Sequence, residues 1–389
     1  MERVKVGIIG ATGGIAPVHI ESLRRLGVVE IYGVASSSLE RAQNIARRLG
    51  VPRAYGGYEE LLQDPDVVAV HNCTPNHLHF AINKKALESG KHIISEKPLA
   101  RDASETLELA RLADSTQTTA AVCFNYRYYP LVQEAKALID AGEVGEIRFV
   151  SGTYLGDWFF RGDVVNWRMR AESGGSSRVL ADIGTHWFDL VEYVTGLRIT
   201  RVMGDRQTFL SERRPEVNPG YAGSIGTGVD VQAHVSSGFK VDTDDYASVL
   251  LIFENGARGS AMFSDVAAGR KGKLCFEIYG SKKSLAWDQE NPNVLWVGRH
   301  NKPNAMIMKD LGVLSDRGRR FARFASGESE GFSDAFTNLF DEIYGHIAGT
   351  KDSRNFPTFA DGHRATLISD CIVESCREGK WVEVKSQGH

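Results

Sequence analysis

Three groups of residues in this sequence combine types and spacings suited to chemistry. Asp182 and His186 stand at i and i+4 in Ala181-Asp182-Ile183-Gly184-Thr185-His186-Trp187, within a helix-like segment. That spacing sets both on one helix face. An imidazole, with a reference pKa near ~6.5, can exchange a proton with an alcohol oxygen. The carboxylate either orients that imidazole or binds a neighbouring hydroxyl. Taken alone, the pair reads equally well as a helix-capping Asp and a satisfied core His. Lys97 lies in Ser95-Glu96-Lys97-Pro98-Leu99-Ala100, directly after a strand-like run. Pro98 restricts Lys97 to extended geometry and aims an ammonium outward, where it can stabilise developing alkoxide charge. The third group is Gly10-Ala11-Thr12-Gly13-Gly14-Ile15-Ala16. Glycines here permit a sharp turn and close approach of amides to a pyrophosphate at a helix N-terminus. The spacing Gly10-x-x-Gly13-x-x-Ala16 is one residue longer than the usual dinucleotide turn, so the role of each glycine stays open.

These groups need strands and helices to position them. Val4 to Ile9 is a continuous apolar run, as in a strand buried on both faces. Strand signals recur at 31–35, 67–71, 92–95 and 120–124, separated by helical stretches at 39–49, 81–88 and 105–113. Such alternation predicts right-handed crossovers and a doubly wound parallel sheet, a Rossmann-type α/β domain over residues 1–124. In that architecture ligands bind beyond the carboxyl ends of the strands. Thr74, Pro75 and Asn76, like Glu96 and Lys97, follow strands directly and point into that crevice. Residues 125–389 read as an α+β domain with a large open, mainly antiparallel sheet. Its strands are expected at 147–155, 246–253, 257–263, 274–279, 284–287 and 294–297, with a helix at 182–194. Glu254-Asn255-Gly256 between two apolar runs is a hairpin signal. Residues 215–242 read as a long Gly/Ser/Pro-rich loop, and Asp242, Asp244 and Asp245 as a solvated acidic loop rather than a calcium site.

At 389 residues the chain is long for one core and sufficient for two domains. Its 42% hydrophobic and 24% charged residues put it among soluble globular proteins. A net charge of -3 provides no field to steer it to nucleic acid or an anionic membrane. The five cysteines are scattered and include no Cys-x-x-Cys pair, which argues against a disulfide framework or a zinc site. The start at Met1-Glu2-Arg3 lacks a signal-peptide core, and no run approaches ~20 apolar residues. The expectation is a cytoplasmic protein without a metal.

The glycine turn, Thr74-Pro75-Asn76-His77-Leu78-His79, Glu96-Lys97-Pro98 and Asp182-x-x-x-His186, in this order, resemble the glucose–fructose oxidoreductase / inositol dehydrogenase / rhizopine-catabolism (Gfo/Idh/MocA) family. The resemblance runs from the first strand to Phe359-Ala360-Asp361-Gly362. It implies an NAD(P)-dependent oxidoreductase that moves a hydride between nicotinamide and a hydroxyl-bearing carbon of a sugar, anhydrosugar, glycoside or cyclitol. Lys97, Asp182 and His186 would then be catalytic, His79 and Asn125 would lie near the dinucleotide, and the Lys97–Pro98 peptide would be cis. Phe124-Asn125-Tyr126-Arg127, Tyr154, Asp157, Trp158, Trp167 and Arg168 look most like members acting on pyranose-type sugars or anhydrosugars. Aromatic faces and polar edges of these residues suit a sugar, although Trp158 and Trp167 also suit sheet packing and the arginines an ordinary surface.

For cofactor choice, the second strand ends in Ser36-Ser37-Ser38 with no carboxylate before Glu40, and Arg41 follows. NAD specificity normally rests on an acidic residue there; hydroxyls and Arg41 favour NADP. Alternatives within this reading are a silent dinucleotide-binding regulator and a nicotinamide-assisted glycosidase. The exposed face of an antiparallel sheet needs covering, which predicts a homodimer or homotetramer.

Overall fold

The apolar run Val4–Ile9 forms β1, at the centre of a six-stranded parallel sheet ordered β3-β2-β1-β4-β5-β6. Its other strands are β2 (Val29–Ala35), β3 (Arg53–Tyr55), β4 (Ala69–Asn72), β5 (His92–Ser95) and β6 (Ala120–Val122). This computed structural model describes residues 3–214, 238–351 and 354–385. Crossover helices α1 (Ala16–Arg24), α2 (Leu39–Leu49), α3 (Tyr58–Gln63), α4 (Asn76–Glu88) and α5 (Ala103–Asp114) cover the sheet. Local chemistry sets their ends. Ser38 caps α2 by accepting from the Arg41 amide at 3.3 Å, and Gly50 ends it at φ 65°. Strand order reverses between β1 and β4, which opens a crevice at their carboxyl ends. The short β3 has too few residues to show a pattern and was not expected.

After α6 (Pro130–Asp140) comes a nine-stranded sheet ordered β16-β15-β14-β13-β7-β12-β11-β8-β17. It comprises β7 (Ile147–Leu155), β8 (Ile199–Gln207), β11 (Tyr246–Phe253), β12 (Arg258–Ser264), β13 (Lys273–Gly280), β14 (Lys283–Asp288), β15 (Val294–Arg299), β16 (Ala305–Met308) and β17 (Val382–Glu383). All neighbours are antiparallel except β7 and β12. The Asn255-Gly256 hairpin forms as expected, with Gly256 at φ 85°. One sheet face buries Val150, Ala247, Val249, Phe263, Phe276 and Leu285 against helices.

Where one helix was expected over 182–194, Leu180–Gly184 forms a π turn and α7 (Thr185–Thr195) follows. Helices α8 (Phe332–Ile347) and α9 (Phe359–Glu378), which had not been expected, return to the first sheet. Phe359 and Ala365 join its core beside Leu109, and the Val122 amide donates to the Pro357 carbonyl at 2.9 Å. Residues 215–237 of the expected loop lie outside the described residues, while β10 (Phe239–Lys240) pairs with β9 (Glu212–Arg213). The acidic loop expectation is corrected. Asp244 and Asp245 are buried, accept from the amides of Val179, Phe209 and Leu210, and Asp244 pairs with Arg206. Among the described residues no helix is long and apolar enough to cross a membrane.

Candidate active site

A cleft of about 530 Å³ starts at the glycine turn and ends among aromatic side chains of the second sheet. The turn is shaped by its neighbour. Gly10 has φ 78°, and a Cβ there would lie 2.9 Å from the Cys73 carbonyl atoms. A Cβ on Gly13 would meet the Cys73 oxygen at 2.9 Å, so both glycines are required where the turn passes the end of β4. Thr12, Gly14 and Ile15 line the cleft beside them, facing Thr74, Pro75 and Asn76. Asn76 is anchored by donating to the Gly174 carbonyl at 3.1 Å.

Lys97 stands midway along the cleft, and its peptide to Pro98 is cis. Its Nζ donates to Asp182 Oδ1 and to the Asp182 carbonyl, each at 2.8 Å. Arg168 Nε lies 3.4 Å from the same Oδ1, and its guanidinium stacks on the Trp167 ring at 4.4 Å. Burial works against a charge on Asp182, but Arg168 and Lys97 outweigh it and hold the carboxyl well below the usual carboxylate range. No hydrogen bond joins Asp182 to His186, so of the two readings the carboxylate holds the lysine rather than the imidazole. The π turn widens the helix between them and leaves both lining the cleft. His186 packs edge-on against Tyr126 at 4.9 Å between ring centroids. Burial, then the Lys97 charge, push its pKa down to about 3.

The cleft wall also offers polar atoms that the protein itself does not satisfy. Asn125 Nδ2 and Oδ1 and His186 Nδ1 are buried without hydrogen-bond partners, and Arg168 Nε has only its 3.4 Å ion contact with Asp182. Buried polar groups are normally paired, so these fit a bound polar molecule such as a dinucleotide or a polyol. Tyr126 and Tyr154 share a hydroxyl–hydroxyl hydrogen bond of 2.6 Å, and Trp158 packs on Tyr154. With Trp167 they form the aromatic end of the cleft.

Other expected residues lie elsewhere. Arg127 is corrected: its guanidinium pairs with Asp189 and Asp361 and stacks on Tyr193, away from the cleft lining. It ties the Asn125–Tyr128 turn to α7 and α9. Asp157 is likewise corrected, being engaged by Lys271 and the Gly269 amide. His79 is buried beneath the cleft between the carbonyls of Pro98 and Thr74, at 2.7 and 2.8 Å. It braces the two loops. Ser36 and Ser37 sit at the end of β2 outside the lining, and Arg41, which does line the cleft, donates to Ser37 Oγ at 3.2 Å. Glu96 lines the floor. Phe159, Phe332 and Phe336 also line it without having been anticipated. The i, i+4 spacing of Phe332 and Phe336 was visible, but not what α8 packs against.

A Rossmann-type sheet, a glycine turn at its switch point and a lysine–carboxylate–histidine group in one cleft define a nicotinamide-dependent oxidoreductase. Residues 4–124 match the model of the oxidoreductase family with an NAD-binding Rossmann fold, and residues 132–286 that of the GFO/IDH/MocA C-terminal domain. The levoglucosan dehydrogenase of Pseudarthrobacter phenanthrenivorans is 32% identical over 99% of both chains. A structure of levoglucosan dehydrogenase with NADH and levoglucosan superposes with a TM-score of 0.87 at 29% identity, covering 99% of this chain and 100% of that one. An inositol dehydrogenase homologue from Azotobacter vinelandii, complexed with NAD+, gives 0.83 at 26% identity over 98% and 97%. The chain belongs to the Gfo/Idh/MocA oxidoreductase family.

Proposed function

We propose that this enzyme oxidises a ring hydroxyl of a pyranose or anhydrosugar, with Lys97, Asp182 and His186 as catalytic residues. One observation carries the reading: the Lys97–Asp182 pair and His186 line the same cleft as the glycine turn. Gly10 to Ile15, Thr74 to Asn76 and Asn125 would hold the dinucleotide. Its nicotinamide, when bound, supplies the acceptor for the hydride lost by the carbinol carbon. The hydroxyl proton passes to His186 while Lys97 stabilises the alkoxide charge that develops on the oxygen. That growing negative charge offsets the Lys97 ammonium, so the imidazole gains basicity as the reaction proceeds. Asp182, itself paired with Arg168, fixes the ammonium, and Tyr126, Tyr154, Trp158 and Trp167 offer faces and hydroxyls to the sugar. The test is a panel of levoglucosan, hexoses, inositols and glycosides with NAD+ or NADP+, followed by absorbance of the reduced nucleotide. Turnover of none would sink the reading, and release of an aglycone without net reduction would point to hydrolysis.

NADP is the expected preference, supported by the lack of a carboxylate at Ser36 to Ser38 and by Arg41 in the cleft lining. Replacing Ser36 by Asp should set a negative charge against a 2′-phosphate. The NAD/NADP ratio of kcat/KM should rise at least ~tenfold, about 1.4 kcal/mol. An unchanged ratio would show that Ser36 does not face the adenosine ribose.

We also propose a homo-oligomer built on the open face of the nine-stranded sheet. Phe149, Met262 and Leu250 are exposed there on the neighbouring strands β7, β12 and β11, and Met306 and Met308 on the edge strand β16, more apolar surface than a lone sheet face normally leaves to water. Sedimentation should give a dimer or tetramer that Leu250→Lys and Met262→Lys together weaken. A monomer in the parent protein would refute it.

A further inference from the structure

Under the cleft floor runs a row of buried polar side chains that hydride and proton transfer do not use. Glu96 Oε1 lies 2.9 Å from His19 Nε2, His19 Nδ1 lies 2.8 Å from His71 Nδ1, and His71 Nε2 lies 2.7 Å from the Tyr344 hydroxyl. His19, His71 and Tyr344 have no exposed surface, and Glu96 is buried but for its edge on the cleft. The four come from α1, β4, α8 and the loop after β5. Phe336 and Phe340 sheathe the imidazoles, with ring centroids 4.9–5.2 Å away.

Elimination assigns the protons. A carboxylate only accepts, so His19 carries its proton on Nε2 and offers Nδ1 as an acceptor. His71 then donates from Nδ1, and its Nε2 accepts from the Tyr344 O–H. Every polar hydrogen in the row has an acceptor in this arrangement. A second proton on His19 would reverse the row at His71 and leave the Tyr344 O–H without an acceptor among the described residues. The row is not a proton path. Moving its protons toward Glu96 would leave a tyrosinate, and burial pushes the Tyr344 phenol well above its ordinary range. Its effect is electrostatic, because three aligned hydrogen bonds polarise one another with their positive ends toward Glu96.

We propose that His19, His71 and Tyr344 are positioning residues whose aligned hydrogen bonds hold Glu96 as a fixed anion beside Lys97 and His186. This rests on the catalytic reading given above. Burial opposes the Glu96 charge, yet the hydrogen bond from His19, with the Lys97 charge beside it, holds the carboxyl below its usual range. Glu96 Oε2 in turn accepts the Lys97 amide at 3.2 Å, and its charge offsets that of Lys97 at His186. Besides the row, Glu96 faces Lys97 and His186 on the cleft side and the thiols of Cys73 and Cys123, which burial keeps neutral. His79 and Tyr126 also interact with Glu96; burial lowers the His79 pKa against the pull of its two carbonyl partners and raises that of the Tyr126 phenol. Without the row, burial should raise the pH at which the carboxyl protonates and so withdraw the anion sooner as pH falls.

The test has arms that do not depend on turnover. Nitrogen-15 NMR of the histidines should find the proton on Nε2 of His19 and on Nδ1 of His71. Infrared titration should find the Glu96 carboxylic-acid band persisting to higher pH in His19→Leu than in the parent, and absent from His19→Leu/Glu96→Gln. With levoglucosan and NAD+, kcat of His19→Leu should fall at least ~tenfold between about pH 7.5 and 5.5, against less than ~twofold in the parent. His19→Gln, whose amide nitrogen can replace Nε2 as donor, should restore the flat profile. If His19→Leu does not fold, Tyr344→Phe removes only the terminal hydroxyl, and its acid limb should begin at least ~0.5 pH unit above the parent's. Opposite tautomers, or variant profiles that superpose on the parent's, overturn the proposal. So does a stoichiometric metal ion among His19, Glu96 and Cys123, whose ligand atoms lie within 4.8 Å of one another. Failure to oxidise levoglucosan would count against the substrate reading alone, because the two spectroscopic arms remain decisive.

Discussion

Replacing Lys97 with Met is expected to lower kcat by about 10²–10³-fold, or ~3–4 kcal/mol, while dinucleotide binding persists. Met retains most of the length and apolar packing of the lysine but lacks its charge. The ammonium is mostly buried, with 14% of the side chain exposed, and is held at 2.8 Å by two oxygens of Asp182. Little freedom is lost when it meets developing alkoxide charge, so its contribution falls on the chemical step. The glycine turn is built by β1, α1 and the end of β4, and the substitution leaves it intact. Fluorescence titration with reduced nucleotide should therefore give a Kd close to the parent's. Lys97→Arg should not restore the rate, because a planar guanidinium is not a substitute for a point charge in this position. Turnover within twofold of the parent in Lys97→Met would remove Lys97 from the chemistry.

His186→Asn should cost about 10²–10⁴-fold in kcat, the usual contribution of a positioned acid–base group. The pH profile of the parent is the sharper measurement. An imidazole at its ordinary ~6.5 would impose an acid limb near that pH in the oxidation direction, since only the neutral ring accepts the proton. In this fold burial and Lys97 push the value down to about 3. The competent neutral form is complete above about pH 4 and is lost only as pH falls through the folded value. The parent's kcat is therefore expected to stay level from neutral pH to about pH 5, without a limb near 6.5. A limb there that disappears in His186→Asn would show that His186 is more basic than its surroundings imply. A variant with undiminished kcat would move the base elsewhere.

Much of this site was legible because its key signals are local. The run Val4–Ile9, the glycines after it, and Lys97 ahead of Pro98 each lie within a few residues of a strand end. In a parallel sheet every such end opens on the same edge. The Asn255-Gly256 hairpin was legible for the same reason, a turn whose conformation two residues specify. The pairing of Asp182 with Lys97 was not, since the i, i+4 spacing tied it to His186 and gave no sign of the π turn.

Tertiary structure decided the rest. Arg127 and Arg168 are the same residue type among similar aromatics, yet Arg168 lines the cleft with Asp182 and Arg127 is spent on Asp189 and Asp361. What separates them is the position of α9, whose Asp361 lies 234 residues after Arg127. The row under Glu96 joins His71 to Tyr344 across 273 residues, and Phe332 and Phe336 complete the cleft from the same helix. Apolar periodicity marks which face of α8 is buried but not what it meets. Packing of α8 against α1 made those partners, and it depends on the whole second sheet carrying the chain back to the first.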